Sequence, residues 1–457
     1  MHILRSNSRL RRFLGDAGVS FLEHACTAIP RILPHTSVSS WHESAWVPPR
    51  ASFGSPRKRE VVATISIGEK QDPRSGSLTA RIARGLAPSV GRRVARTLDA
   101  RELDICRRIV VRASAVLTDE QEGSRRASLA AVQEFFDEQV IADHLRTHHG
   151  LALEVSEVLA ALHQLAEQTY ENQAISFGCI IDPLAQPESG DSIFPVELLQ
   201  SKKYRALSDG LRTAYHVSTD GRLRGFVDLE ILAPEHLSLR HYYPEWADRF
   251  ARASRDRRCG ICLTRQGDIL VFDEGTLRFT YRYGRWQYWN HAHLLQLLRD
   301  RARVQRVSPV VIGKVIATLY RASLDVSFRR SGALFVVLRN RRDLRELVRP
   351  GDAIDDERRQ RIDRQFDDAV LGRSIHQIPR SVLVELASLD GAVVVNNAGG
   401  LMAYGAVLRQ RAGMRLAATE GSRAKAALGA SKYGLAVKIS ADGDITVCHD
   451  GEPFLRI

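Results

Sequence analysis

One stretch constrains this chain more than any other. Gly332–Leu338, "GALFVVL", has no polar side chain on either alternating face. A strand of that composition is buried on both sides, and strands covered on both sides belong to sheets flanked by helices. A helix precedes it. Ser308-Pro309 is a cap residue followed by proline at the first helical position, and Ile312, Val315, Ile316, Leu319 and Leu324 run down one face after it. Further strands are read at Asp390–Gly400, "DGAVVVNNAGG", then in "LMAYGAVL", "LAVKIS" and "DITVCHD", the last two joined by a turn at Ala441–Asp444. Helix and strand therefore alternate over residues 301–457, an α/β pattern.

The rest of the chain reads differently. With 457 residues it is long enough for two or three domains. Residues 1–95 are rich in Pro, Ser, Gly and Arg, as in "HTSVSSWHESAWVPPRASFGSPRKRE". That composition predicts a basic, largely disordered arm with one short strand at Val61–Ile67. Residues 96–300 begin with helical periodicity in "LAAVQEFFDEQVIADHL" and "VSEVLAALHQLAEQTY". From about Asn172 the period changes. "GICLTRQGDILVFDEGTLRFTYRYGRWQYWN" divides into strands at turns Gln266–Asp268, Glu274–Thr276 and Tyr283–Arg285, which predicts an antiparallel meander. Its aromatics (Phe272, Phe279, Tyr281, Tyr283, Trp286, Tyr288, Trp289) suit a core more than a pocket. Cys259 and Cys262 form a C-x-x-C with no second pair at zinc-ligand spacing. His148 and His149 are read as a solvated loop or helix end.

Charge enters at this point. The formal net charge is +13, and the first 110 residues hold roughly 19 Lys and Arg against 9 Asp and Glu. Such a segment attracts polyanions, but no interleaved aromatics or DNA-reading motif accompany it, so nucleic acid is an unfavoured partner. No run approaches the roughly 18 apolar residues of a membrane span, and the N-terminus lacks the apolar core of a secretory signal. Six scattered cysteines suit free thiols in a reducing compartment. The expectation is a cytoplasmic protein without membrane contact.

No Walker loop, G-x-G-x-x-G, G-x-S-x-G or H-E-x-x-H occurs. What the C-terminal region offers instead is a series of spaced polar points. Asp390-Gly391-Ala392 opens a buried strand, Gly399-Gly400 turns the chain at its end, and Gly421-Ser422-Arg423-Ala424-Lys425 opens an alanine-rich helix. A helix start of Gly-Ser-Arg presents N–H groups, a hydroxyl and a cation to an anion. The tetrapeptide "EGSR" also occurs at Glu122–Arg125, so the flanking strands, not the four letters, carry the reading.

Taken in order, "GALFVVLRNRRDLRELVRPGDAID", "LASLDGAVVVNNAGGLMAYGAVL" and "EGSRAKAALGASKYGLAVKISADGDITV" resemble a diadenylate cyclase domain over about the last 150 residues. The implied fold is a mixed-sheet α/β domain preceded by an α+β region like the sensor modules of other members. The implied activity is a nucleotidyltransferase joining two ATP into cyclic di-AMP with Mg²⁺ or Mn²⁺. Two domains meet face to face in a homodimer or higher even oligomer. On this resemblance Asp390 activates the attacking 3′-hydroxyl and holds metal, while Gly391, Ala392 and Gly400 lie against the nucleotide. Gly421 and Ser422, the latter in place of a threonine, contact phosphate; Arg423 and Lys425 neutralise it. Ala424 stands where the family has histidine, and Lys425 where it has arginine, losing the planar bidentate fork. Asp442 is implied as a second metal carboxylate, although turn chemistry before Gly443 also explains it. The departures leave a second reading, a receptor that binds ATP or a cyclic dinucleotide without turning it over.

Overall fold

The computed structural model describes residues 8–34, 36–39, 41–44, 47–53, 61–67, 76–84, 98–118, 133, 135–170, 172–183, 199, 201, 207–232, 242–303, 307–357, 373–409 and 421–457. Two compact units divide the chain. The N-terminal unit takes Met1–Gly85, Ala95–Leu237 and Trp246–Trp289; the C-terminal unit takes Leu86–Val94, Ser238–Glu245 and Asn290–Ile457. The protein is mixed α/β.

The N-terminal unit differs from the expectation for residues 1–95. A 25-residue helix, α1 (Ser8–Ile32), stands where an unstructured arm was read. It forms because Phe21, Leu22, Ala25, Ile29 and Ile32 recur at three- and four-residue spacing and are all buried. Strands β1 (Thr36–Val38), β2 (His42–Ser44), β3 (Arg50–Phe53), β4 (Val61–Ile67) and β5 (Gly76–Arg84) follow, forming a five-stranded sheet in the order β1-β5-β4-β3, with β2 also on β5. The strand read at Val61–Ile67 is thus the partner of a full sheet. The stretches 54–60 and 85–95 of the expected arm lie outside the described residues, as does the second "EGSR" at 122–125.

Helices α2 (Ala100–Thr118), α3 (Phe136–His149) and α4 (Val155–Ala166) come next. The start of the first predicted helix, 129–132, is outside the described residues. After the short pair β6 (Thr169–Tyr170) and β7 (Gln173–Ala174) comes the main sheet of this unit. Its strands are β8 (Phe177–Asp182), β9 (Thr213–Ser218), β10 (Leu223–Asp228), β11 (Cys259–Leu263), β12 (Ile269–Asp273), β13 (Thr276–Arg282) and β14 (Arg285–Tyr288), with α5 (Asp248–Ala253) before β11. The order is β10-β9-β8-β11-β12-β13-β14. Its β11–β14 portion is the expected antiparallel meander. Glu274-Gly275 and Tyr283-Gly284 carry φ of 50° and 74°, and of 52° and 75°, the paired positive values of a two-residue hairpin turn matched to strand twist.

The C-terminal unit begins with α6 (His291–Ala302) and α7 (Pro309–Phe328). Ser308 caps α7 by accepting from the Val310 amide at 3.3 Å. The sheet comprises β15 (Ala333–Leu338), β16 (Ala392–Asn396), β17 (Leu401–Ala406), β18 (Gly434–Ile439), β19 (Ile445–His449) and β20 (Glu452–Arg456), in the order β17-β16-β15-β18-β19-β20. Only β15 and β16 run parallel among these pairs. Helices α8 (Leu344–Leu347) and α9 (Arg380–Ser388) fall between β15 and β16, and α10 (Ser422–Ala430) follows β17. Leu334, Val336 and Leu338 share a buried cluster with Ala427, Leu428 and Ala430 of α10. On the other face Leu435, Val437, Ile445 and Val447 meet Leu298, Ile316, Leu319 and Tyr320 of α6 and α7. Both faces are covered, as the apolar run of β15 requires.

Candidate functional site

Strand register decides which polar points converge. Phe335 is opposite Val393 in the parallel pair, and Ala333 is opposite Ile439 in the antiparallel pair. Thus the entry of β15 at Gly332, the entry of β16 at Asp390-Gly391 and the β18–β19 turn at Ser440–Asp444 share one end of the sheet. Three backbone residues join α10 to β18 and the helix runs back over the sheet, which brings its N-terminus to that same end. The Arg423 guanidinium confirms the placement: a methyl group on Gly332 would meet its Cζ at 2.8 Å.

The backbone beside the carboxylate is tightly constrained. Gly391 has φ +121°, a region closed to other residues, and a Cβ there would meet the Gly405 carbonyl oxygen at 2.6 Å and the Ala406 nitrogen at 2.7 Å. Asp390, the residue before it, is exposed and makes no hydrogen bond or ion pair among the described residues. Ala392 is 1% exposed; its methyl belongs to the core, so only its backbone is available to a ligand.

At the helix start, Gly421 caps with φ −64° and ψ 161°, without a side-chain cap. Ala424 and Lys425 donate their amides to Gly421 O at 3.0 and 3.2 Å. The Ser422 and Arg423 amides precede the first intrahelical donors and point outward along the axis. Ser422 is exposed. Neither Arg423 nor Lys425 forms an ion pair among the described residues. Glu420, the first letter of the quoted motif, lies outside them.

Two expected members stand apart. Gly400 is at the opposite end of β16, about 16 Å of strand away. There Asn396 Oδ1 accepts from the Ala398 and Gly400 amides, both at 2.9 Å, and Gly400 pairs with Ser374. It closes a turn and does not join the Asp390 end. Asp442 is exposed in the β18–β19 turn, where Ser440 accepts the Asp444 amide on Oγ at 3.0 Å and Gly443 O accepts from Ser327 Oγ at 2.5 Å. It shares the sheet end with Asp390, but β15 intervenes between their strands.

The glycines opposite these groups escaped the sequence reading. Gly332 read only as a strand start, yet it makes room for Arg423; Gly405 read as an ordinary strand residue, yet it has φ +56°. In the N-terminal unit His148 and His149 fall at a helix end, as expected, His148 exposed but His149 not solvated. Its ring is 4% exposed and contacts Asp273 at 3.0 Å. Phe272, Phe279, Trp286, Tyr288 and Trp289 are core. Cys259 and Cys262 lie buried on β11, where burial pushes both thiols far up.

No family model matches the chain, and no curated protein matches it. Two solved structures are similar to parts of it. One is a hypothetical membrane spanning protein from Bacillus cereus, 20% identical, covering 36% of this chain and 74% of that one, with a TM-score of 0.24. The other is a double cysteine mutant of DacA from Staphylococcus aureus, 23% identical, covering 31% and 85%, with a TM-score of 0.23. Among the described residues of this chain, no helix is long and apolar enough to cross a membrane.

Proposed function

We propose that the C-terminal unit binds ATP at the Asp390–Arg423 end of its sheet and joins two such molecules into cyclic di-AMP, releasing pyrophosphate. The observation that carries this reading is a juxtaposition at one end of the sheet: an exposed carboxylate before β16, and an uncapped helix start with two cations, none of the three in an ion pair among the described residues. Amides, hydroxyl and positive charge suit phosphate oxygens. A carboxylate free of protein partners suits Mg²⁺ or Mn²⁺, which takes one or two carboxylates and completes its shell from phosphates and water. Asp390 would hold that ion, with Asp442 a more distant second candidate. When bound, the ion neutralises phosphate charge and polarises the reacting phosphoryl group.

The chain's own residues supply the rest. Asp390 orients the 3′-hydroxyl and accepts its hydrogen bond. The Ser422 and Arg423 amides and the Ser422 hydroxyl hold phosphate oxygens in line. Arg423 and Lys425 balance the charge that builds on the departing pyrophosphate. One unit presents one ATP, so the reaction needs two units face to face, a homodimer or higher even oligomer. Purified protein with ATP and Mn²⁺ should give cyclic di-AMP by mass spectrometry; no product across a metal and nucleotide screen overturns the enzyme.

One observation favours a second reading. Ala424 and Lys425 depart from the histidine and arginine of the resembled motif, which leaves a binding surface with less means to stabilise charge transfer. ATP or cyclic dinucleotide binding by calorimetry, without pyrophosphate release, would identify a receptor.

A further inference from the structure

The N-terminal unit holds a cluster of ligand-forming side chains that the nucleotide reading does not use. His144 and His148 are four residues apart on α3, so both imidazoles occupy one helix face. Asp104 reaches them from α2, which runs antiparallel to α3, since Asp104 meets His144 and His148 while Arg112, two turns later, meets the earlier Gln139 and Asp143. His144 Nδ1 is 2.7 Å from Asp104 Oδ2, and His148 Nε2 is 3.8 Å from the same oxygen. One donor atom from each residue lies within 4.8 Å of the other two. Ligand atoms around tetrahedral zinc, with bonds of about 2.0–2.1 Å, are separated by about 3.3 Å. The two observed distances lie on either side of that value, each within roughly half an ångström of it, and small side-chain rotations would bring the three donors to one ion.

We propose that Asp104, His144 and His148 form a binding site for a zinc-class divalent transition metal, its fourth position open to water on the His148 side. The His144 side chain is 2% exposed and that of His148 36% exposed, which gives the site a closed wall and an entrance. The bordering arginines are already engaged. Arg108 donates to Asp104 Oδ1 at 3.2 Å and so orients Oδ2 toward the imidazoles, the role outer-shell groups play around metals. Arg101 pairs with Asp273 and Glu274. His149 turns away to Asp273 and takes no part.

Protonation states agree with the geometry. Burial would raise Asp104, but hydrogen bonds from His144 and Arg108 bring it to about 2. Burial lowers both His144 and His148 against the pull of Asp104. A metal ion would take the place of the His144–Asp104 hydrogen bond, with the imidazole proton carried on the other ring nitrogen.

The test is a titration of the full chain with Co²⁺ and Zn²⁺. One equivalent of Co²⁺ should give the visible bands of a tetrahedral nitrogen–oxygen site with no thiolate-to-cobalt band, and Zn²⁺ should displace it. His148→Ala, which removes the outward-facing ligand, and Asp104→Asn, nearly isosteric, should each weaken Co²⁺ binding by about tenfold or more. His376→Ala in the C-terminal unit should leave it unchanged. No stoichiometric binding, a thiolate band, or an affinity indifferent to both substitutions overturns the site. None of these readouts depends on nucleotide turnover.

Discussion

In the N-terminal unit, charged side chains find each other. Arg31 clasps Asp137 from α1 with two bonds of 2.6 Å, Arg112 meets Asp143 at 2.6 Å, and Arg258 meets Asp182 at 2.7 Å. The C-terminal unit has its own matched pair, Asp325 and Arg380, with side chains 3% and 10% exposed. There Arg380 also donates to the carbonyls of Tyr243 and Arg321, at 2.9 and 3.0 Å. Yet at one end of the same unit's sheet Asp390, Arg423 and Lys425 have no partner among the described residues. A charge answered within the chain serves the fold. A charge left unanswered is available to something else, and that availability is what the proposed ATP site rests on.

That contrast can be broken by substitution, and the largest effect falls on the answered charge. Arg380→Ala strands a buried carboxylate and should lower stability by about 3–5 kcal/mol, read as a drop in the denaturation midpoint. Asp390→Asn should leave that midpoint unchanged while cutting cyclic di-AMP formation by about a hundredfold or more; a fall in stability would place Asp390 among the answered charges after all. The reverse pattern, with Arg380→Ala silent in denaturation, would dissolve the comparison.

Smaller effects sharpen it. Burial, then the charge of Arg31, lowers His24 against the pull of Asp137 and Glu138. A depressed histidine favours the fold fully above its unfolded value of about 6.5, and that contribution is lost as pH falls through the folded value. Stability of the N-terminal unit should therefore decline on acidification below about pH 6.5, and His24→Gln should flatten the decline in urea titrations at several pH values. Smallest of all is Arg339–Asp450, whose side chains are 42% and 59% exposed. Burial opposes ionisation of Asp450, but the hydrogen bond from Arg339 and nearby positive charge hold it below the usual carboxylate range. The pair's contribution is present above about pH 4 and fades as pH falls through the lowered value. Arg339→Ala should cost less than about 1 kcal/mol at neutral pH, measured by the same titration.

Much of the fold was legible because it is locally encoded. Ser308-Pro309 announces α7, the turn glycines divide β11 to β14, and the apolar run of Gly332–Leu338 demands cover on both faces. Helix α1 was missed because composition averaged over 95 residues hides a stripe that only Phe21, Ala25, Ile29 and Ile32 define. In the candidate site, Asp390 and Gly421–Lys425 could be named from motif order. That Gly400 falls at the far end from Asp390 follows from chain order, since one opens the strand and the other turns it; that the start of α10 comes to the Asp390 end does not, because the direction of a helix relative to its sheet is a tertiary fact. The same holds for Asp104 and His144, separated by 40 residues and joined only by the packing of two helices.

The crossing at Gly391 has one more implication. Because φ at Gly391 and the approach of Gly405 fix the chain immediately after Asp390, the backbone there keeps its place without help from neighbouring side chains. The surface around it is therefore free to diverge over generations while that backbone keeps its course. A crossing anchored in this way can outlast most of the sequence around it, because it depends on two glycines and not on the side chains nearby.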